Sequence, residues 1–200
     1  MRKPFSQACE NNKSPILSVL RRHLGSVGHV LEVGSGTGQH AVFFAAELPH
    51  LVWQTSDLPE HHAGIRAWIE DSGLENVRAP VVLDVTNRPW AGVETDAVFS
   101  ANTAHIMSWP MVESFVAGAG EVLPPSGLFL LYGPFNYGGA YTSESNARFD
   151  QWLKERDPLS AIRDFEAVDG LGRAAGMNLI EDNAMPANNR LLVWRRNASK

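Results

Sequence analysis

Leu31-Glu32-Val33-Gly34-Ser35-Gly36-Thr37-Gly38 is the stretch on which the reading of the fold turns. His29 to Val33 reads as a short buried strand, and an apolar helix is predicted from about Gln39 to Leu48. Three glycines spaced two apart between them let the chain turn sharply and bring its backbone against a ligand. Strand, tight turn and helix in that order form a motif that several nucleotide-binding folds share, so its neighbours decide the meaning.

Downstream the alternation continues. A strand is predicted near Leu51 to Thr55, a helix over Glu60 to Asp71 closed by Gly73, and a strand near Val77 to Leu83. Ala97 to Ser100 reads as a strand, Met111 to Leu123 as a helix ended by Pro124 and Pro125, and Leu128 to Tyr132 as a strongly apolar strand. Upstream, Ser14-Pro15 is read as a helix start, with Ile16, Leu17, Leu20 and Leu24 on one face and Gly25 as the stop. Strands alternating with helices imply a parallel sheet covered on both faces. After Gly133-Pro134 the rhythm changes to a loop over Phe135 to Ser143, a helix over Glu144 to Arg156 packed through Phe149, Trp152 and Leu153, and a helix from about Asp164 to Ala175. Strands near Asn178 to Glu181 and Leu191 to Arg195 flank Met185-Pro186-Ala187-Asn188-Asn189, and so short a connection favours an antiparallel hairpin.

With 200 residues, 44% of them apolar, one core suffices, and a single domain over residues 1–200 is expected, with a helical insert at about 134–165 as a substrate lid. Seventeen basic against 22 acidic residues give a net charge of -5 without a run of one sign, which is not the balance of a protein that grips nucleic acid. A small-molecule substrate is expected, with no nucleic-acid partner; the oligomeric state is left open. The single cysteine, Cys9, makes neither an internal disulfide nor a cysteine-based metal cluster and suits a reducing, cytoplasmic setting. Met1 to Glu10 lacks a secretory apolar stretch, and no segment approaches 18 apolar residues, so neither export nor membrane insertion is expected.

A dinucleotide fingerprint would put its third glycine at position 39, which is Gln39, and would turn its amides toward a pyrophosphate. S-adenosylmethionine carries no phosphate but has an ammonium group, for which the acidic Glu32 on the first strand is chemically suited. Asp57 ends the second strand, 23 residues after Gly34, where a carboxylate can accept both ribose hydroxyls. Asp84 ends the third, placed to accept from an adenine amino group while Val85 offers its amide. Either aspartate alone reads as a cap; their order at consecutive strand ends gives the set its meaning, because ligands of open α/β sheets sit beyond the carboxyl ends of strands. The expected cofactor is therefore S-adenosylmethionine, contacted by Glu32, Gly34, Ser35, Gly36, Thr37, Gly38, Asp57, Leu58, Asp84, Val85 and Asn102, and no metal is expected.

Over nearly its whole length the chain resembles the methyltransferase-like protein 26 family, a family of presumed methyltransferases long filed as a domain of unknown function. The likeness is carried by Asn12-Lys13-Ser14-Pro15-Ile16-Leu17, Leu31 to His40, Gln54-Thr55-Ser56-Asp57, Leu83-Asp84-Val85-Thr86, Tyr132-Gly133-Pro134, Ser145-Asn146 with Phe149-Asp150, and Met185 to Asn189. Where such families place Pro-Ser-Asp after the second strand, this chain has Thr55-Ser56-Asp57. The resemblance implies S-adenosylmethionine binding and an α/β, Rossmann-like class I methyltransferase fold, a seven-stranded mostly parallel sheet with helices on both faces and a C-terminal antiparallel hairpin.

For the methyl acceptor, Ser100 to His105 follows the fourth strand. His105 is a candidate base for an oxygen or nitrogen acceptor, or else a histidine bonded to a neighbouring carbonyl. The expected catalytic set is His105, Asn102, Tyr132 and Asp150, with Phe135, Asn136, Tyr137, Asn146, Arg148 and Phe149 as further roof residues. Arg163 and Asp164 are read as an ion pair, Asn188-Asn189 as a turn cap, and Asn12-Lys13 as a contact near the cofactor. His61-His62 opens a helix without a carboxylate set to complete a metal site, and the six tryptophans read as packing. Two rivals stand beside this reading, an NAD-linked oxidoreductase and a non-catalytic binding module.

Overall fold

A computed structural model describes residues 3–90 and 92–198, so the first two residues of the segment read above for an export signal lie outside the described residues. Two compact units divide the chain, Met1–Ser100 and Ala101–Lys200.

The first unit opens with helix α1 (Gln7–His23), followed by β1 (His29–Val33), α2 (Gln39–Glu47), β2 (Val52–Asp57), α3 (His62–Ser72), β3 (Val77–Val82) and β4 (Ala97–Ala101). Its strands run in the order β3-β2-β1-β4 and all pair in parallel. The central strands β1 and β4 are buried along nearly their whole length, as a parallel sheet covered on both faces demands, while the edge strand β3 leaves Arg78, Ala79 and Val82 exposed. Phe44 of α2, Trp53 of β2 and Phe99 of β4 form a fully buried triangle with ring centroids 5.5 to 5.7 Å apart. His40 stacks on Phe44 at 5.2 Å.

Helix α1 is capped eight residues earlier than the expected Ser14. Ser6 is the cap, its hydroxyl accepting the Cys9 N–H. Pro15 therefore sits mid-helix, where it removes one i→i−4 bond. The buried face of Ile16, Leu17, Val19 and Leu20 outweighs that loss.

The second unit comprises α4 (Trp109–Val122), β5 (Leu128–Asn136), α5 (Glu144–Arg156), β6 (Arg163–Asp164), α6 (Phe165–Ala174), β7 (Met177–Met185) and β8 (Asn189–Arg196). β8 lies antiparallel between β5 and β7, which is the expected hairpin. Phe129 packs between Phe115 and Trp194, and the Trp194 indole donates to Asp169 at 2.9 Å. Four expectations are corrected here. The described residues hold eight strands, not seven, because the two-residue β6 pairs with Phe135 and Asn136, too short to leave a periodic signal. β5 continues through Gly133 and Pro134, which face Arg190 and Asn189 at the start of β8, where the ladder ends and a missing proline N–H costs little. Trp152 is 46% exposed, stacked on Phe149 and covered by Arg156, because α5 buries Asn146, Asp150 and Leu153 instead. The Arg163 guanidinium donates to the carbonyls of Ala104, Met107 and Leu159 rather than pairing with Asp164, which sits at the start of α6.

The aromatic triangle makes the first unit sensitive to truncation. Phe44→Ala is expected to cost about 3–5 kcal/mol, read as a lower urea midpoint with an unchanged slope; a loss below about 1 kcal/mol would show that the ring does not carry this core.

Candidate cofactor site

Gly34, Gly36 and Gly38 all lie in the left-handed region, with φ of 74°, 58° and 90°. Side chains disfavour that region, which is why this turn needs glycine at alternate positions. Four of the loop's five amides turn back onto the protein. Gly34 and Ser35 donate to the Ser56 carbonyl at 3.1 and 2.9 Å, Gly38 donates to the Ser35 carbonyl at 2.9 Å, and Gly36 donates to Asp57 Oδ2 at 2.7 Å. The Ser35 hydroxyl accepts the Ser56 N–H, and Asp57 Oδ1 accepts the Leu58 N–H at 2.7 Å. A Cβ on Gly36 would meet nothing within 4 Å, whereas one on Gly38 would lie 3.0 Å from the Ile65 backbone. One side of the loop is thus open and the other is pressed on α3.

Glu32 lies in this unit with 2% exposure, its carboxylate accepting the Trp53 indole N–H at 3.2 Å. Burial pushes its pKa up to about 7, opposed by hydrogen bonds from Ser35 and Trp53 and assisted by the nearby Asp57 charge. Leu58 is 37% exposed beside Asp57. Asp84 makes a local turn, Oδ1 accepting both the N–H and the hydroxyl of Thr86, and these bonds hold its carboxyl below the usual range. The capping role is therefore present, and Oδ2 has no partner among the described residues. Val85 is buried beside it. Thr37 donates to the Gln39 side chain at 3.1 Å. Asn12 meets the His40 ring at 2.7 Å, and Lys13 pairs with Glu10.

In the second unit Asn102 takes a left-handed conformation, φ 60°, and its N–H donates to the Tyr132 carbonyl at 2.9 Å. Tyr132 is buried on β5. His105 is buried edge-on to Phe149 at 5.4 Å; burial and then the Arg163 charge lower its pKa to about 4, so the imidazole is neutral at physiological pH. The Asp150 carboxylate binds Tyr141 and Lys154 at 2.6 Å and the Ile162 N–H at 2.7 Å. Burial alone would raise it, but these donors hold its pKa below the ordinary value. Asp150 thereby ties α5 to its neighbouring loops. Asn189 caps the hairpin turn by donating to the Pro186 carbonyl, whereas the Asn188 side chain donates out of the turn to Ser145; Ala187 and Asn188 both have φ of 57°. Asn146 donates to Thr142 and to the Asn188 carbonyl.

A pocket of about 320 Å³ is lined by Tyr137, Thr142, Met185, Asn188, Asn189 and Arg190. Asp182 anchors its wall, accepting from Tyr137 at 2.8 Å and Arg190 at 2.7 Å. Sequence reasoning passed over Asp182 and Arg190, which the pairing of β7 with β8 brings together, and the loop residue Tyr141, which donates to Asp150 of α5; none of the three carries a local motif. Among the described residues no group of three or more His, Cys, Asp or Glu is placed to hold a metal, and no helix is long and apolar enough to cross a membrane.

Glu32 sets a pH dependence. Its folded pKa lies above the ordinary 4.5, so the folded state binds the proton more tightly and stability is lost as pH rises from about 4.5 through about 7. The slope is about 1.4 kcal/mol per pH unit at most. Urea unfolding between pH 5 and 8 is expected to show this loss in the wild type and a flatter profile in Glu32→Gln; parallel profiles would refute it.

Solved structures with this fold include an O-methyltransferase family protein from Burkholderia thailandensis, 18% identical with a TM-score of 0.83 over 94% of this chain and 57% of that one. An O-methyltransferase family 2 protein from Planctomyces limnophilus, in complex with apigenin, is 17% identical with a TM-score of 0.84 over 94% of this chain and 57% of that one. An O-methyltransferase from neocarzinostatin biosynthesis, in complex with S-adenosyl-L-homocysteine and 1,4-dihydroxy-2-naphthoic acid, is 17% identical with a TM-score of 0.76 over 95% of this chain and 55% of that one. The chain thus spans little more than half the length of these proteins and shares their Rossmann-like methyltransferase fold, a mostly parallel sheet with a C-terminal antiparallel hairpin. The profile of the family described as proteins of unknown function, DUF938, matches residues 3–196, and the chain belongs to that family.

Proposed function

We propose that the chain is an S-adenosylmethionine-dependent methyltransferase acting on a small molecule. The observation that carries this reading is where the loop's amides go: those of Gly34, Ser35, Gly36 and Gly38 end on Ser56, Asp57 and Ser35. A pyrophosphate needs such donors pointing at it. A ligand with an ammonium group and ribose hydroxyls needs acceptors, and Glu32 and Asp57 supply them. The NAD-linked rival loses its main contact. Asp57 has lone pairs beyond those used by Gly36 and Leu58 for ribose hydroxyls, and Asp84 Oδ2 suits an adenine amino group.

When bound, the donor supplies an electrophilic methyl group. The chain contributes mainly alignment, worth about 7–11 kcal/mol in well-oriented systems. His105, neutral above about pH 4, can accept a hydrogen bond from an acceptor hydroxyl, with Asn102 orienting the same group. Tyr132 and Asp150 act by holding backbone and lid: one positions Asn102, the other fixes α5 within the 134–165 segment. The small-molecule complexes of the matched O-methyltransferases support an acceptor of that size. The likeness to the methyltransferase-like protein 26 family supports the same activity. One functional domain, a reducing cytoplasmic setting and no nucleic-acid partner complete the proposal.

Calorimetry tests the donor site. S-adenosylmethionine is expected to bind with low-millimolar or tighter affinity, and Asp57→Asn to weaken it about tenfold or more, as loss of a charge-assisted hydrogen bond does. Because an ammonium favours the ionised form of Glu32, affinity should rise as pH passes through about 7 in the wild type and stay level in Glu32→Gln. No heat with either the donor or S-adenosylhomocysteine would overturn the reading. Donor binding without transfer of labelled methyl to any metabolite would favour the non-catalytic alternative.

A further inference from the structure

Gln39, the first residue of α2, is 3% exposed and uses its whole amide. Its Oε1 accepts from the Ser6 N–H at 2.5 Å and from the Thr37 hydroxyl at 3.1 Å. Its Nε2 donates to the Ser6 carbonyl at 3.4 Å and to Glu10 at 2.9 Å. Two lone pairs and two protons are all that this side chain offers. Three bonds reach the start of α1 and the fourth reaches the glycine loop, so one buried amide joins the two.

A second connection runs beside it. Pro4 lies over Gly64 of α3, where an added Cβ would come 2.7 Å from the proline ring. The Trp68 indole donates to the Pro4 carbonyl at 2.7 Å, and Lys3 lies over the Trp68 ring, 4.3 Å from its centroid, while pairing with Asp71. Trp68 and Ile65 are also the residues on which Gly38 rests, the nearest atoms lying 3.3 and 3.0 Å from its would-be Cβ. Residues 3–6 and the glycine loop therefore share a support. Alanine at position 64 would suit the helix better; glycine suits the proline lodged there.

We propose that Gln39 is a positioning residue and that residues 3–6 form a strap, docked in the Gly64 notch, which holds the glycine loop in its donor-binding shape. Strap docking and donor binding then strengthen each other by the same factor, as linkage requires. The proposal rests on the donor reading above. A strap that served stability alone would leave ligand affinity untouched.

The test uses the full chain with S-adenosylhomocysteine as probe. Gly64→Ala introduces a better helix former while evicting Pro4, and Gln39→Met keeps the bulk while removing all four bonds. Both are expected to retain a cooperative melt and to bind the probe about fivefold or more weakly, the lower range of allosteric coupling. In the wild type, saturating probe is expected to slow hydrogen exchange at the Ser6 amide and the Trp68 indole, and in Gly64→Ala that slowing is lost. Wild-type affinity in both variants, or Ser6 exchange indifferent to the probe, overturns the strap. Failure of the wild type itself to bind the probe overturns the donor reading and the strap together, and is told apart because it shows without any substitution. Should Gln39→Met not fold, Gly64→Ala and the wild-type exchange decide alone.

Discussion

The Asp57 carboxylate, taking the amide protons of Gly36 and Leu58 at 2.7 Å each, is the constraint around which the first unit is arranged. Three left-handed glycines give the loop its curvature but no side chains with which to hold it. The hold comes from the next strand. Parallel pairing sets Val33 against Ser56, so the last residue of β1 meets the carbonyl that accepts from Gly34 and Ser35, and Asp57 follows one step on. A slip of one residue would send Asp57 to the opposite face. The buried triangle of Phe44, Trp53 and Phe99 fixes that register, linking core packing directly to the geometry of the site.

Burial governs which groups near the loop can change charge. His40 is pushed down to about 4 by desolvation, so it stays neutral while it meets Asn12 and stacks on Phe44. Glu32 is pushed the other way, to about 7. The same physical cause, loss of water, keeps a histidine uncharged and lets a carboxyl titrate near neutrality. In the second unit His105 follows His40, whereas Asp150 escapes the rise because Tyr141, Lys154 and the Ile162 amide all donate to it.

Much of this was legible in the sequence, and the failures share a cause. The glycine spacing, the strands at His29 and Val77, the stop at Gly73 and the hairpin around Pro186 follow from local rules, and they hold. Helix α5 matches its expected span, Glu144–Arg156, yet its buried side does not: Asn146 and Asp150 go in while Trp152 stays half out. Hydrophobicity ranks tryptophan above asparagine, but it knows nothing of Thr142, the Asn188 carbonyl or the Ile162 amide waiting to satisfy the polar groups. The Ser14-Pro15 start failed for a similar reason, since local chemistry favoured a cap that tertiary burial of α1 overrode. β6 was invisible because two residues carry no period.

The acidic character of the loop also bears on turnover under the proposed reading. S-adenosylmethionine carries a sulfonium, an ammonium and a carboxylate, and transfer of its methyl group removes the sulfonium charge. Under that reading both carboxylates favour the more positive donor over the demethylated product, Glu32 the more strongly when ionised, because its burial leaves its charge poorly screened. A loop that directed its amides outward would show the opposite bias and favour an anion. By turning those amides back onto Ser35, Ser56 and Asp57, the chain leaves carboxylates as the dominant charges near the loop, and the sign of the favoured ligand follows from how the backbone donors are used.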